Sequence, residues 1–418
     1  MKNFRYITIL ILAALSLSSC KLKCDCGEVV LPESYDKVMI LYSAGVNDLS
    51  SDLKEDIEDL CSGFVPGICS GDALVFISHF KSGAGVPVIE SVYTNLRGKV
   101  VRDTLKVFPS GSRLTDKETM REALMIVDDT FKASRYGMIY SSHATGWLPP
   151  GFYDNPNLWK SGSASLLPRP DGAVPYVEPV YSEGEVRVKS IGQTAVGALS
   201  YEMELTDFAE ALPIHLDYLI FDACLMGGIE TAYELRNHCD LIGFSQTEVL
   251  ADGFDYKKIA HHLLAGAKPD PKSVCSDYFE SYDEREGRSR SASISLVDCT
   301  KLEPLAQVCR SLFAKYGDII RTMDGSRVQA YFYDRDYHWH YDLYDIIAKA
   351  GASYEELSTL SEALSGCVLY KAATPSFFHL ELKILSGFSM YLPSDGSKYL
   401  DDFYRTLSWN KATGLVSE

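Results

Sequence analysis

Leu216-Asp-Tyr-Leu-Ile-Phe-Asp222-Ala-Cys224-Leu-Met-Gly227-Gly228 is a short apolar, β-rich run that ends at an acid and a thiol and then turns. A second run has the same form. Tyr136-Gly-Met-Ile-Tyr-Ser-Ser-His143-Ala-Thr-Gly-Trp147 ends in an imidazole followed by small, turn-forming residues. In open α/β sheets, functional groups collect at the carboxyl ends of strands. The two strand ends suggest a cysteine nucleophile, Cys224, with a histidine base, His143.

The surrounding sequence continues the same rhythm. Lys37–Tyr42 (KVMILY) and Ala73–Ser78 (ALVFIS) read as buried strands, with a helical pattern through Leu53, Ile57 and Leu60 between them. Residues 86–108 alternate about Arg97-Gly98 and predict an antiparallel hairpin. Lys117–Phe131 predicts a helix with Met120, Leu124, Val127 and Phe131 on one face. Short helices at Thr206–Ala211 and Ile229–Leu235 flank the cysteine strand, and Leu241–Ser245 is a further strand. This order predicts an α/β fold: a doubly wound, mostly parallel sheet with helices on both faces. The stretch 148–200, rich in Gly, Ser and Pro, is a loop of functional length. From Pro269 helices dominate (Leu302–Tyr316, Tyr341–Ala350), with strand-like runs at Leu380–Leu385 and Phe388–Leu392. That pattern divides the chain into a domain at 36–268 and a C-terminal α+β extension, 269–418, packed on it.

The first residues stand apart. Lys2 and Arg5 precede an apolar stretch, Ile7–Leu17, and Leu17-Ser-Ser-Cys20 follows. This resembles a signal peptide (1–19) with the lipobox of bacterial lipoproteins, leaving Cys20 lipidated at the head of a tether (20–35). A plain secretory signal, or a short membrane anchor, is the alternative. The expected location is the bacterial cell envelope, with membrane contact only through the lipid. The formal charge of −17 becomes two units more negative once Lys2 and Arg5 are removed. An acidic chain argues against nucleic-acid partners. Of the 11 cysteines, Cys61 and Cys69 flank a loop and are a candidate local disulfide.

A thiol attacks an acyl carbon as thiolate. Gly227-Gly228 and the helix at 229–235 would place a positive dipole end just past Cys224. The backbone N–H groups of Cys224 and Ala144 are candidate oxyanion donors. Asp222 faces the same way as Cys224 if the strand persists, either as the floor of a pocket for a cationic side chain or as a structural hydrogen-bonding group. His79, at the end of ALVFIS, is a rival base. His261-His262 reads as a solvated face. His338-Trp-His340, with Asp334, Asp336 and Asp342, reads as an acidic surface segment with no evident third metal ligand, calcium binding there being the alternative. No phosphate loop, GxSxG elbow or CxxC zinc pattern occurs.

These residues together resemble the clostripain family of cysteine peptidases, which share the fold of caspases, gingipains and legumain. The resemblance runs through Lys37–Leu53 (KVMILYSAGVNDLSSDL), His143–Trp147 and Phe221–Leu235. It continues through Ser293–Leu305, Tyr341–Ile347 and Ser386–Pro393. It implies a caspase-like sheet, His143 as base, Cys224 as nucleophile, and Asp222 selecting Arg or Lys before the cut bond in protein or peptide substrates. No cofactor would be required for chemistry, although calcium supports some members. Family members are commonly zymogens cut between the histidine and cysteine segments, which makes Lys160, Arg169, Arg187 and Lys189 candidate activation sites. The family has Gly after the histidine where this chain has Ala144. If that position needs a glycine-only backbone angle, turnover would suffer, and a peptidase fold serving as a surface binding lipoprotein becomes the alternative. Gly243–Tyr256 follows the family's substrate-binding stretch only loosely.

Overall fold

Successive side chains of Lys37–Gly45 feed two different cores. Val38, Ile40 and Tyr42 pack on one side, Met39 and Leu41 on the other. A strand buried on both faces belongs in the middle of a sheet covered by helices, and that is its position. The computed structural model of the chain describes residues 21–24, 27–152, 173–175, 193–197, 199–332 and 338–417.

Nine strands form the central sheet: β1 (Lys37–Gly45), β2 (Asp72–Phe80), β3 (Val88–Thr94), β4 (Val100–Val107), β5 (Tyr136–Ser141), β6 (Leu216–Asp222), β7 (Cys239–Phe244), β8 (Ser293–Asp298) and β9 (Val368–Ala373). Their order is β9-β8-β7-β6-β5-β1-β2-β3-β4. The five strands from β7 to β2 run parallel. Antiparallel pairs close both edges, the expected β3–β4 hairpin on one and β8–β9 on the other. Helix α1 (Asp52–Ser62), Tyr256–Ala260 and Pro271–Asp283 pack on one face. Helices α2 (Lys117–Phe131), α3 (Leu205–Ala211) and α4 (Ile229–Leu235), with Leu302–Ile320, cover the other.

The division at residue 268 is not a division of the sheet. β8 and β9 lie beyond it, and β8 pairs with β7 through Leu241↔Asp298 to Phe244↔Ser295. The C-terminal region therefore completes the sheet as well as packing against it. Of the strand-like run Leu380–Leu385, only Leu380–Glu381 forms a strand. Beyond it the Lys383 and Ile384 N–H groups donate to the Gln329 side chain instead of a ladder, and Lys371 Nζ donates to the Leu385 carbonyl. Within Phe388–Leu392, Ser389–Met390 pairs with Tyr341–Asp342. The stretch read as a tether contains a hairpin, Lys21–Cys24 with Gly27–Val30. Two described parts of the 148–200 loop, Ala173–Pro175 and Gln193–Val196, pair with Leu199–Glu202 in a three-stranded sheet. Among the described residues no helix is long and apolar enough to cross a membrane.

Candidate active site

Strand register sets the site. β5 and β6 are adjacent and parallel, with Ser141 opposite Asp222. His143 and Cys224 each lie two residues past that pair, so both reactive side chains leave the sheet at the same level on neighbouring strand ends, about 5 Å apart between strand axes. His79 is on β2, three strands from β6. At about 14 Å by strand spacing, it is too remote to serve Cys224. It is buried, and burial lowers its pKa.

Two turns hold the pair, and they interlock. Leu225, directly after the thiol, has φ +58, a left-handed conformation that a leucine adopts at a cost of about 1–3 kcal/mol. It is held there because its N–H donates to the Thr247 carbonyl at 2.9 Å, while the Gly227 N–H donates to Ser245 at 2.7 Å. On the histidine side, Gly146 has φ +69, and a Cβ there would lie 2.5 Å from the Leu225 carbonyl oxygen. Glycine is needed at this position for both its backbone angle and its close approach. Trp147 follows, fully buried against Tyr391 and Tyr404 of the C-terminal region.

The Cys224 Sγ accepts the Val249 N–H at 3.1 Å and lies 3.6 Å from the Val249 carbonyl oxygen. The thiol is fully buried in this state. Val249 belongs to the stretch 243–256, so this segment is a close partner of Cys224 despite its loose sequence likeness. His143 is also buried, and its Nε2 lies 2.6 Å from Asp48 Oδ1. Asp222 is fully buried, with Oδ2 accepting from Ser141 Oγ at 2.9 Å and from the Tyr256 hydroxyl at 2.8 Å. Its donor Tyr256 belongs to the core that also holds Tyr218, Ile220 and Cys224, consistent with strand alternation.

Ala144 is buried and is absent from the positive-φ residues, which among the described non-glycines are Lys132, Leu225 and Phe378. A glycine-only angle is therefore not adopted after the histidine. The strained non-glycine position follows the cysteine instead. Asp48 is a site residue that the sequence reading left unassigned; the signal available was its place in the Asn-Asp turn at the carboxyl end of β1.

Other expectations fall elsewhere. His262 pairs with Asp277, and His261 lies near Phe64. His340 and Asp342 are not on an acidic surface. Both are fully buried, and burial lowers the His340 pKa to about 3. Asp342 caps a helix by accepting the Asp345 N–H and also accepts from the Tyr331 hydroxyl and the Ser386 N–H. Cys61 and Cys69 are free thiols, so the candidate disulfide is absent. Among the described residues no cluster of three His, Cys, Asp or Glu could hold a metal. Cys20, Lys160, Arg169, Arg187, Lys189, Asp334 and Asp336 lie outside the described residues.

A parallel-centred sheet offering an imidazole and a thiol from adjacent strand ends is the architecture of a caspase-like cysteine peptidase. Residues 181–415 match the family model of the clostripain family, Peptidase C11. Clostripain of Hathewaya histolytica is 21% identical over 440 aligned positions, spanning 87% of this chain and 76% of that protein. An inactive zymogen C11 protease from Parabacteroides distasonis superposes with a TM-score of 0.73 at 23% identity, covering 92% of this chain and 99% of the other. A secreted C11 cysteine protease from Bacteroides thetaiotaomicron gives 0.70 at 22% identity, covering 91% and 99%. The chain belongs to the clostripain family of cysteine peptidases.

Proposed function

We propose that this peptidase is exported, lipid-anchored through Cys20, and cleaves after Arg or Lys once the 148–200 loop is cut. Asp222 carries the specificity reading. It is a buried carboxylate two residues before the nucleophile, oriented by two hydroxyl donors. A guanidinium or ammonium entering beside Cys224 would meet it in a charge-assisted hydrogen bond, strong in a site shielded from water. In the reaction, Cys224 loses its proton to His143 and attacks the carbonyl carbon. The backbone N–H groups of Cys224 and Ala144 receive the oxyanion, the amine leaves with the proton, and water hydrolyses the thioester.

Latency is supported by burial of both reactive side chains, since a peptide carbonyl cannot meet a covered thiol. Both ends of the loop also lie against the histidine side of the site: near its end the Ala195 N–H donates to Val46, and near its start the Gly151 N–H donates to Glu202, a residue of the same cleft as His143. Lys160, Arg169, Arg187 and Lys189 would suit self-cleavage by an enzyme of this specificity. The Parabacteroides relative described as an inactive zymogen fits the same reading, as the Bacteroides relative described as secreted fits export. The chemistry above uses no cofactor; calcium would act on stability or activation.

The test is hydrolysis of short fluorogenic peptides ending in Arg, Lys, Asp or Leu, by protein lacking residues 1–26. The assay is run before and after trypsin nicking, with and without calcium. Cleavage after Arg or Lys should vanish in Cys224→Ala and fall far more for basic than for neutral substrates in Asp222→Ala. Equal losses on both substrate classes would sink the pocket assignment. A binding lipoprotein of the same fold would show no cleavage even when nicked.

A further inference from the structure

The turn that follows β1 is built to hold a carboxylate against the imidazole. Asp48 Oδ1 stands 2.6 Å from His143 Nε2, and their side chains are only 8% and 2% exposed. That distance marks a charge-assisted hydrogen bond. The neighbouring Asn47 is fully buried and fixes the turn internally, with Oδ1 accepting the Leu49 N–H at 3.0 Å and Nδ2 donating to the Ala44 carbonyl at 3.1 Å. The same Ala44 carbonyl accepts Ser142 Oγ at 2.7 Å. Ser142 directly precedes His143. One carbonyl oxygen thus ties the turn carrying the carboxylate to the strand end carrying the imidazole.

We infer that Asp48 is a positioning residue for His143. It accepts the Nε2–H, which fixes the tautomer and the ring plane and leaves Nδ1 as the nitrogen that exchanges protons. In the first step the Cys224 S–H bond breaks and an Nδ1–H bond forms; in the second, that proton passes to the leaving amine. Asp48 stays ionised throughout and stabilises the imidazolium between the two steps. A carboxylate separated from the histidine by 95 residues of sequence reaches it because β1 and β5 are neighbours, with Ser43 opposite Ser141. Among the described residues, other titratable groups near the pair include Cys224 just past the end of β6, Tyr140 and Glu202 lining the same cleft as His143, Asp52 at the start of α1, and the buried His340 beside Gly146.

The full mature chain, nicked in the 148–200 loop, tests this with Asp48→Asn and Asp48→Glu. Two profiles are measured from pH 5 to 9: kcat/KM on a peptide substrate, and the rate of Cys224 alkylation by iodoacetamide, followed on the Cys224 peptide by mass spectrometry. In Asp48→Asn, kcat should fall on the order of 100-fold with KM within about threefold. The imidazole-controlled limb of both profiles should move about one unit or more to lower pH, because the imidazolium has lost its counter-charge. Asp48→Glu should return the limb toward its original position. A fall in activity with the limb unmoved would reduce Asp48 to a packing role. A rise in activity would mean that the contact restrains His143 instead of serving it. Either result overturns the inference. The alkylation profile is independent of the residue before the cut bond, so an error in the Arg/Lys assignment leaves it readable.

Discussion

Replacing Glu230 by Gln should make the protein more stable, and increasingly so as the pH rises. Glu230 lies in the first turn of α4, just beyond the Cys224 turn, and is fully buried. Its Oε1 accepts from the Tyr391 N–H and the Tyr404 hydroxyl, both at 2.8 Å. Burial pushes its carboxyl from an ordinary 4.5 up to about 7, and these hydrogen bonds pull it only partly back. A raised folded-state pKa means that the folded chain keeps a proton the unfolded chain has lost. Stability from this group is therefore complete below pH 4.5 and is lost as the pH rises through about 7. At 1.36 kcal/mol per unit, the loss is about 3 kcal/mol. Gln keeps an oxygen for Tyr391 and Tyr404 and carries no charge. Its amide would replace Oε2, which crowds the same spot beside Gly228 as Ser389 Oγ and Thr231 Oγ1. Urea unfolding at pH 5, 6.5 and 8, in a Cys224→Ala background to prevent self-cleavage, reads the effect. The two proteins should be nearly equal at pH 5, and Glu230→Gln should lead by about 3 kcal/mol at pH 8, or roughly 3–5 °C in melting temperature. A difference that does not change with pH would refute the reasoning.

Two further substitutions probe the interlocked turns. Gly146→Ala would force φ +69 on an alanine and drive its Cβ against the Leu225 carbonyl. It should cost about 1–3 kcal/mol by thermal melting and lower kcat at least tenfold, whereas a silent variant would mean the turns do not constrain each other. Ala144→Gly should leave kcat within about twofold, since Ala144 is under no left-handed strain; a tenfold gain on peptide substrates would show that alanine does impair the site.

What the sequence made legible was set locally, and what it hid was set by contacts between distant segments. The strands at 136–141 and 216–222 announce themselves because continuous apolar runs end abruptly in reactive residues, and parallel pairing then fixes His143 and Cys224 at one level. The helices at 117–131 and 229–235 follow from periodicity and flanking residues in the same way. Asp48 beside His143, Val249 beside Cys224, and Tyr391 and Tyr404 around Glu230 are separated from their partners by 95, 25, 161 and 174 residues respectively. No periodicity encodes such pairs. The edge strands β8 and β9 were obscured for a related reason: they join the sheet only by pairing onto β7 and then onto each other, after helices have intervened. The same long-range contacts bear on function. The C-terminal region delivers Tyr391 and Tyr404 to both Trp147 on the histidine turn and Glu230 behind the cysteine turn. A truncation there would lose more than surface packing: it would strip both turns of their shared support and leave Glu230 buried with fewer donors, or exposed. The C-terminal region is thus part of the machinery that holds the reactive pair at one level, and the active site cannot be assigned to residues 36–268 alone.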